Sequence, residues 1–537
     1  MMPIRVGVDV GGTHTDAVAL GHQGQVLRAV KSQTTRDLIT GISNALANLF
    51  SDGTINRRDV DAAMFGTTHS TNAIVERKGL SKVGVIRIGK QSSSSIPPMY
   101  TLPEDLSASV NGASVMIDGG HEYSGRQIVP MEESALPQAA ERFKENGVQS
   151  IAISAVFSPV NPSHERRAAE ILAGRLPGVP ISLSHEIGGL GLIARENAAI
   201  LNSALFRVAN SAIRSFQEAV DAFELTNAKI FLTQNDGTLM NVDYARKYPV
   251  RTIACGPTNS IRGAGYLTGM SDGVVVDVGG TTALVGVISN GFPRDSTIPA
   301  SIGGVRTNFR MPDVLAIGCG GGTVVHRVDG GVTIGPDSVA FELTEKALSW
   351  GGSEVTTTDI ALASGYAVID DGKCDPARLS ELDSSFVDRA RKKIIEIVED
   401  AVDRMKTTSA QVPVILVGGG GIIVPPSHYS SFKGASRVVR PEMFQYANAI
   451  GAATAQVGAE VDRTFSYEET PREEVLKLVK QMCVEEAIRA GAMASSIRIV
   501  DVDEIPLTYI STSAARIRVK AVGELDLGRP KPTSRGL

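Results

Sequence analysis

Two stretches of this chain share one pattern: IRVGVDVGGTHTDA at residues 4–17 and GVVVDVGGTTALVG at residues 273–286. In each stretch a mostly apolar segment ends in an aspartate, two glycines and a threonine follow, and a second segment begins. This order predicts a strand, a tight turn and a second strand. Asp9 and Asp277 are 268 residues apart, so the sequence indicates an internal duplication of this unit.

The paired glycines allow the backbone to turn tightly enough for peptide N–H groups to face an anion. We predict that Asp9 and Asp277 are catalytic carboxylates that hold Mg²⁺ or its waters, because hard divalent cations prefer oxygen ligands. One such turn is equally an ordinary hairpin, but two copies favour a clamp on one polyphosphate. The predicted phosphate-binding residues are Gly11, Gly12, Thr13, Thr15, Gly279, Gly280, Thr281 and Thr282.

With its duplicated Asp-Gly-Gly-Thr hairpins, the sequence resembles the superfamily of actin, the sugar kinases and the heat-shock chaperones. A third element of that superfamily is a strand that meets glycines beside the nucleoside, and VGGGG at residues 417–421 matches it. The resemblance implies that Gly418, Gly419, Gly420 and Gly421 pack against adenine or ribose of ATP. A plain strand-to-helix loop is the alternative for this segment.

Together with the order of apolar segments, the resemblance predicts an α/β fold of duplicated actin-like, ribonuclease-H-like ATPase domains. Mixed sheets flanked by helices are expected in both domains. The predicted boundaries are residues 1–205 for the first domain, 206–465 for the second, and 466–537 for a small α+β appendage at the C-terminus.

Further motifs lie outside the two hairpins. They are DVGGTHTD at 9–16, GTTHSTNAIVERKG at 66–79, RENAAILN at 195–202, CGP at 255–257, GCGGGT at 318–323 and GPDS at 335–338. In these motifs the chain resembles the hydantoinase A and 5-oxoprolinase family, and the likeness covers about residues 4–460.

That resemblance implies an ATP-dependent, Mg²⁺-requiring amidohydrolase subunit. It would open a hydantoin- or lactam-type cyclic amide after phosphorylating the carbonyl oxygen. The resemblance also implies a hydantoinase B-like or other partner subunit, and homo-oligomerisation is left open. Two alternatives remain: a small-molecule kinase of the sugar-kinase type, and a non-enzymatic ATP switch resembling actin or a chaperone.

Other polar side chains near these motifs are weaker candidates. His69 lies in a threonine-rich segment and is predicted to be catalytic through contact with a carbonyl or phosphate, with helix capping as the alternative. His14 and His121 are equally consistent with exposed loop residues. Asp236 is a candidate for substrate contact or a simple turn residue, and Cys255 is predicted to have a packing role.

Composition narrows the classes of partner. The 53 basic and 58 acidic residues give a net charge of −5, with no long basic run for nucleic acid or an anionic membrane. No apolar run is long enough to span a bilayer and no signal peptide precedes the first strand, so we expect a cytoplasmic protein. The four cysteines are far apart, which predicts reduced thiols rather than a metal cluster.

Overall fold

The computed structural model describes residues 4–12, 14–35, 37–296, 301–329, 331–467, 470–507 and 514–528. The strands are β1 Ile4–Val10, β2 His14–Leu20, β3 Val26–Gln33, β4 Val60–Thr67, β5 Val83–Ile88, β6 Asn111–Ile117, β7 Ser150–Ala155, β8 Ile181–Leu183, β9 Lys229–Thr233, β10 Leu239–Asn241, β11 Gly273–Val278, β12 Ala283–Ser289, β13 Phe292–Pro293, β14 Ser301–Ile302, β15 Val305–Arg306, β16 Val314–Ile317, β17 Thr323–Val328, β18 Gly331–Ser338, β19 Val412–Val417, β20 Ala435–Val439, β21 Val457–Ser466, β22 Arg498–Pro506 and β23 Ala514–Gly523. The α-helices are α1 Leu38–Leu49, α2 His69–Glu76, α3 Lys90–Ser93, α4 Glu104–Val110, α5 Leu136–Glu145, α6 Ser163–Arg175, α7 Ser184–Ile187, α8 Leu192–Ala204, α9 Phe206–Ala222, α10 Val242–Lys247, α11 Cys255–Thr268, α12 Leu343–Lys346, α13 Thr357–Ala363, α14 Ser384–Met405, α15 Ala447–Thr454 and α16 Arg472–Arg489.

The two repeated sequence segments form matching hairpins in two different sheets. In the larger sheet, β1 pairs antiparallel with β2, β2 pairs antiparallel with β3, and β4 runs parallel to β1 on its other side. In the second sheet, β11 pairs antiparallel with β12, and β19 runs parallel to β11. The same hairpin with the same parallel neighbour therefore occurs twice, which confirms the predicted duplicated α/β fold with mixed sheets flanked by helices.

Strands β1 and β4 end side by side in the large sheet, and β11 and β19 do the same in the second sheet. Asp9 lies opposite Gly66 of β4, and Asp277 lies opposite Val417 at the end of β19. Strand β1 is buried along its whole length, as expected for a strand covered by helices on both faces. The carboxyl ends of β1 and β11 consequently deliver both aspartates to glycine-rich turns.

Two helices, α11 and α15, pack closely against each other beside the two sheets. A side chain at Gly263 of α11 would come within 1.9 Å of the Ala447 carbonyl oxygen, and one at Gly451 of α15 within 1.8 Å of the Asn259 carbonyl oxygen. Gly7 of β1 likewise leaves room for the carbonyl oxygen of Ala449. Glycine at these positions allows the helices and β1 to approach backbone to backbone.

A separate four-stranded sheet with the order β6-β5-β7-β8 is inserted between β4 and β9. Its pairings are parallel, and α8 packs against it. Fully buried Arg87 on β5 forms a two-point ion pair with Glu196 on α8, with Nε to Oε2 at 2.7 Å. Arg195 is also buried and donates to the carbonyl oxygen of Ala155 at 2.7 Å. The RENAAILN motif thus fixes the inserted sheet in place.

The sheets do not follow the predicted domain boundaries. Strands β9 and β10, predicted to open the second domain, belong to the large sheet with β1. Residues 466–537 do contain a helix and two strands, but β22 and β23 extend that same sheet through β21. Pairing between distant strands decides sheet membership, and a single chain segment carries no signal for it.

Among the described residues, no helix combines the length and the apolar character needed to cross a membrane.

Candidate active site

The two hairpin turns have the same backbone geometry. The Gly11 N–H donates to the His14 carbonyl oxygen at 3.0 Å, and the Gly279 N–H donates to the Thr282 carbonyl oxygen at 2.9 Å. Each turn therefore closes on itself through its first glycine. Thr13, a predicted phosphate ligand, lies outside the described residues.

Carboxylates from both turns share one electrostatic environment. Burial is the main cause that raises the pKa of Asp9 to about 7, and the nearby charges of Asp16 and Asp277 contribute to that rise. Asp16 is paired with Lys31 at 2.6 Å, although burial still raises the pKa of Asp16. An amide hydrogen bond from Asn259 partly stabilises the charged form of Asp9. The two turns consequently meet around a buried concentration of negative charge.

Helix α11 links the second carboxylate to α15. The Ser260 hydroxyl lies 2.5 Å from Oδ2 of Asp277 and 2.8 Å from Oδ1 of Asn448. Burial raises the pKa of Asp277 as well, with Asp16 adding to the rise. The close contact of the two helices therefore sets the position of Asp277 relative to Asp9.

The glycine loop after β19 is built against the second turn. Gly418 has a φ of +78°, and a side chain there would come within 2.2 Å of Oδ1 of Asp277. Gly420 leaves room for the carbonyl oxygen of Gly279, at 2.7 Å from where its Cβ would lie. The Gly418 N–H donates to the carbonyl oxygen of Phe444, and the Phe444 ring lies beside Gly421. The loop and the turn thus form one continuous glycine surface.

A second glycine cluster completes this surface. The N–H groups of Gly321 and Gly322 donate to the carbonyl oxygens of Gly279 and Gly280, at 2.9 and 2.6 Å. The Thr323 hydroxyl donates to the Thr281 carbonyl oxygen at 3.2 Å. The GCGGGT segment therefore braces the second turn from behind, which explains its glycines.

Threonines in the two turns play different parts. Thr15 is fully buried, and its hydroxyl lies 3.2 Å from that of Thr34, which itself donates to the Gly11 carbonyl oxygen. Thr15 thus supports the first turn from the protein side. Thr282 is exposed in the second turn, on the side where a ligand has access.

His69 lies at the start of α2, beside the first turn. Its Nδ1 is 2.7 Å from the Thr67 hydroxyl, and burial lowers the pKa of His69. The Thr68 hydroxyl reaches the Val10 carbonyl oxygen at 3.5 Å, so this helix start adjoins the end of β1. One nitrogen of the His69 ring is thus engaged by Thr67, and the lowered pKa favours the neutral imidazole.

Three weaker candidates occupy other surroundings. His121 lies in the loop after β6, with its ring centre 4.3 Å from that of His164. Asp236 pairs with Lys520 at 2.8 Å. Cys255 is buried, which raises its pKa to about 11, and its thiol donates to the Thr67 carbonyl oxygen at 3.3 Å. Cys255 therefore packs between α11 and β4, in agreement with the predicted packing role.

Two protein-family models match successive segments of the chain. Residues 5–176 match the hydantoinase/oxoprolinase N-terminal region, and residues 195–403 match the hydantoinase/oxoprolinase domain. The two segments together cover more than half of the chain. This chain belongs to the hydantoinase/oxoprolinase family. The resemblance predicted from the sequence motifs is confirmed.

Three related proteins match this chain over 67% to 74% of its length. The caprolactamase subunit alpha of Pseudomonas jessenii is 29% identical over 74% of this chain and 60% of its own length. The 5-oxoprolinase of Saccharomyces cerevisiae is 25% identical over 68% of this chain and 32% of its own length. The acetone carboxylase beta subunit of Xanthobacter autotrophicus is 25% identical over 67% and 54% respectively. The chain thus spans between about a third and three fifths of these relatives.

Two solved structures share the fold of this hydantoinase/oxoprolinase family member. The ATP-dependent caprolactamase from Pseudomonas jessenii has a TM-score of 0.76 and 22% identity, over 97% of this chain and 88% of that chain. Nucleotide-free acetone carboxylase has a TM-score of 0.66 and 17% identity, over 99% and 89%. The architecture described above is therefore that of known ATP-dependent enzymes.

The sequence analysis did not identify several residues that contact or surround Asp9 and Asp277 in the candidate site. Asp16 and Lys31 lie on neighbouring strands of the first hairpin, while Asn259 and Ser260 follow the CGP motif on α11. Asp16 was within reach, because it ends the quoted DVGGTHTD motif. No sequence motif marks Asn259 and Ser260 as site residues, because only the tertiary packing of α11 places them beside Asp9 and Asp277.

Gly418→Ala is expected to lower kcat/KM for ATP by about a hundredfold in this protein. The new methyl group would displace the Asp277 carboxylate, and a displacement near 1 Å is enough for a loss of that size. Steady-state phosphate release would measure it. The matched control is Gly174→Ala on α6, which meets nothing within 4 Å and should retain activity. Equal activity of the two variants would contradict the role of Gly418.

Proposed function

We propose that this chain is the ATP-hydrolysing part of an enzyme that opens a hydantoin- or lactam-type cyclic amide. The proposal is carried by the meeting of two equivalent turns, each led by a buried aspartate, Asp9 and Asp277. The names caprolactamase and 5-oxoprolinase indicate lactam substrates for those relatives. The chain spans only 60% and 32% of the length of these two relatives, so a lactam-type substrate for this chain is itself proposed.

Phosphate groups of ATP are proposed to lie between the two turns. The N–H groups of Gly11 and Gly279 are used inside the turns. Those of Gly12 and Gly280 donate to no residue that the structure describes, so they are the proposed donors to phosphate oxygens. The loop of Gly418 to Gly421 beside Phe444 is proposed to hold the nucleoside.

Mg²⁺ suits the carboxylates at this site. No three His, Cys, Asp or Glu side chains of the described part of the chain lie close enough together to form a complete metal cage. Mg²⁺ does not need one, because it usually keeps several waters and takes one or two carboxylates together with substrate phosphates. Burial and the repulsion from Asp16 and Asp277 raise the pKa of Asp9, and a divalent cation would relieve that repulsion. Asp9 and Asp277 are the proposed ligands of the ion or of its waters.

The chemistry follows from the stability of an amide. Resonance makes the ring C–N bond resistant to water, and transfer of a phosphoryl group to the carbonyl oxygen removes that protection. Water then attacks the carbon, and the C–N bond breaks with its electron pair going to nitrogen, which takes up a proton. Hydrolysis of the resulting acyl phosphate releases the carboxylate and inorganic phosphate. Mg²⁺ would neutralise charge on the transferring phosphate. His69, neutral and beside the first turn, is proposed to contact the carbonyl or phosphate oxygen.

A partner subunit of the hydantoinase B type is proposed for the later hydrolytic step. The relatives include the alpha subunit of caprolactamase and the beta subunit of acetone carboxylase, so related chains are parts of multi-subunit proteins.

The decisive experiment is Mg²⁺-dependent phosphate release from ATP, measured with and without hydantoins, 5-oxoproline and simple lactams. Stimulation by one ring compound, with ring-opened product detected by mass spectrometry, would support the proposal. A stable phosphorylated product would instead identify a kinase. A rate of ATP hydrolysis that no ring compound changes, in the chain alone and with a co-expressed partner subunit, would indicate an ATP switch and contradict the proposal.

A further inference from the structure

A cavity of about 70 Å³ lies between the large sheet and the inserted domain, which consists of the four-stranded sheet and its helices. Its wall combines the segment before α8, the loop after β9, the segment before α11 and strand β21. On the same measure one water needs about 10 to 15 Å³, so the space equals that of roughly five waters. The wall residues used below are Asn235, Tyr244, Tyr248, Arg251, Arg310 and Glu460.

Arg251 is the unusual group in this wall. Its guanidinium lies 5.8 Å from the ring centre of Tyr244 and 5.7 Å from that of Tyr248. In the described part of the chain no carboxylate lies within ion-pair distance of it. By contrast, Arg310 in the same wall contacts Asp295 at 2.5 Å. Arg251 therefore presents unused donors to the cavity, held in place by two aromatic rings.

Glu460 is the complementary group. Its side chain is only 15% exposed, and its cationic neighbour Arg310 is 3.4 Å away through Nε. The two terminal nitrogens of Arg310 are taken by Asp295 at 2.5 Å and Asp503 at 3.0 Å. No described residue donates a hydrogen bond of standard geometry to the Glu460 carboxylate. The cavity thus contains an under-used acceptor as well as an under-used donor.

The cavity adjoins the edge of the sheet that carries Asp9. Asn235 follows the end of β9 by two residues, and its N–H donates to the Arg251 carbonyl oxygen at 2.7 Å. β9 is two strands from β1 in the sheet, which is roughly 10 Å. Four residues after Arg251, α11 begins and leads to Ser260 beside Asp277. One short segment therefore connects the cavity wall with the proposed ATP site.

We propose that this cavity recognises the amide group of a small cyclic substrate, with Arg251 donating to the carbonyl oxygen and Glu460 accepting from the ring N–H. This inference rests on the proposed function and adds to it a binding site for the ring and a preferred ring size. A neutral –CO–NH– group engages both charged side chains and leaves the charge of the cavity unchanged. The volume favours five-membered rings, which have few heavy atoms, over seven-membered ones.

Binding without nucleotide tests the cavity independently of ATP hydrolysis. Calorimetric titration of the whole chain would use 2-pyrrolidinone, hydantoin, ε-caprolactam and N-methyl-2-pyrrolidinone as probes. We expect the two five-membered rings with an N–H to bind at least about tenfold more tightly than the other two. Arg251→Met should weaken 2-pyrrolidinone binding at least about tenfold, which corresponds to one hydrogen bond to a charged group.

Matched variants separate recognition from folding. Arg262→Met also removes an arginine that lies over an aromatic ring, 4.8 Å from that of Phe292, but outside the cavity wall, and should leave ring binding intact. Where Arg251→Met fails to fold, Arg251→Lys serves in its place. Glu460→Gln gives a second test, because this variant lacks the carboxylate that accepts from the ring N–H. The difference in affinity between 2-pyrrolidinone and N-methyl-2-pyrrolidinone should become smaller in that variant.

The outcomes distinguish the cavity from the proposed function. Unchanged ring binding in a folded Arg251 variant, or no ring binding by the wild-type chain, would overturn the inference even where rings stimulate ATP hydrolysis. Ring binding that depends on Arg251, together with ATP hydrolysis that no ring stimulates either in the chain alone or with its partner subunit, would support the cavity and refute the proposed function.

Discussion

Asp9→Asn is expected to reduce Mg²⁺-dependent ATP hydrolysis by on the order of a hundredfold to a thousandfold, a loss typical of removing one preorganised electrostatic contact in an active site. Asparagine keeps the shape of the side chain and can still accept from Asn259. It removes the negative charge that Asp9 shares with Asp16 and Asp277. The loss should therefore reflect metal and phosphate binding, not packing.

Phosphate release over a range of Mg²⁺ concentrations would measure this effect. The Mg²⁺ concentration for half-maximal rate should rise in Asp9→Asn as well. Asp243→Asn is the control, because that carboxylate is exposed on α10 and pairs with the neighbouring Arg246. Activity of Asp9→Asn within a factor of two of wild type would remove Asp9 from the site.

The same variant has a pH signature in the absence of nucleotide and metal. The pKa of Asp9 is about 7 in the folded chain and 3.8 is its ordinary value, so folding favours its protonated form. Its stabilising contribution is present at low pH and is lost as the pH rises toward 7. Between pH 5 and 8, wild type should lose on the order of 2 to 3 kcal/mol of unfolding free energy relative to Asp9→Asn. Parallel urea-denaturation results at all pH values would contradict the raised pKa.

Glu196→Gln is expected to destabilise the inserted domain by about 3 to 5 kcal/mol. Arg87 and Glu196 are both almost fully buried, and the change would leave the Arg87 charge without its carboxylate. The Ser154 hydroxyl, 2.8 Å from the same carboxylate, cannot replace that charge. Removing one partner of a buried ion pair costs more than removing both, since the remaining charge stays desolvated.

Hydrogen exchange of α8, read by mass spectrometry alongside urea denaturation, would measure this loss where it occurs. The single tryptophan, Trp350, lies outside the inserted domain, so its fluorescence follows the rest of the chain instead. The Arg87→Met, Glu196→Leu double variant should recover much of the lost stability. Glu133→Gln, which breaks an exposed pair with Arg167 in the same domain, should change nothing measurable.

The two strand-turn-strand units are the part of the candidate site whose local structure the sequence predicted best, and phosphate binding by their turns stays a prediction. Their aspartates, glycines and threonines are adjacent in the chain, and local backbone chemistry explains why those residue types occur together. The glycine loop at Gly418 was also predicted, but its contact with Asp277 was not, because the two residues are far apart in sequence. The domain boundaries at 205 and 465 differ from the observed sheets for the same reason.

The sequence by itself determined the duplicated strand-turn-strand unit, the glycines that its turns require and the family to which the chain belongs. These features depend on neighbours in the chain and on a pattern that repeats. Only the tertiary structure decided which carboxylates meet, which strands β9, β22 and β23 join, and that Arg251 and Glu460 face one cavity. Long-range strand pairing and the close packing of α11 against α15 bring these groups together, and neither leaves a local signature in the chain.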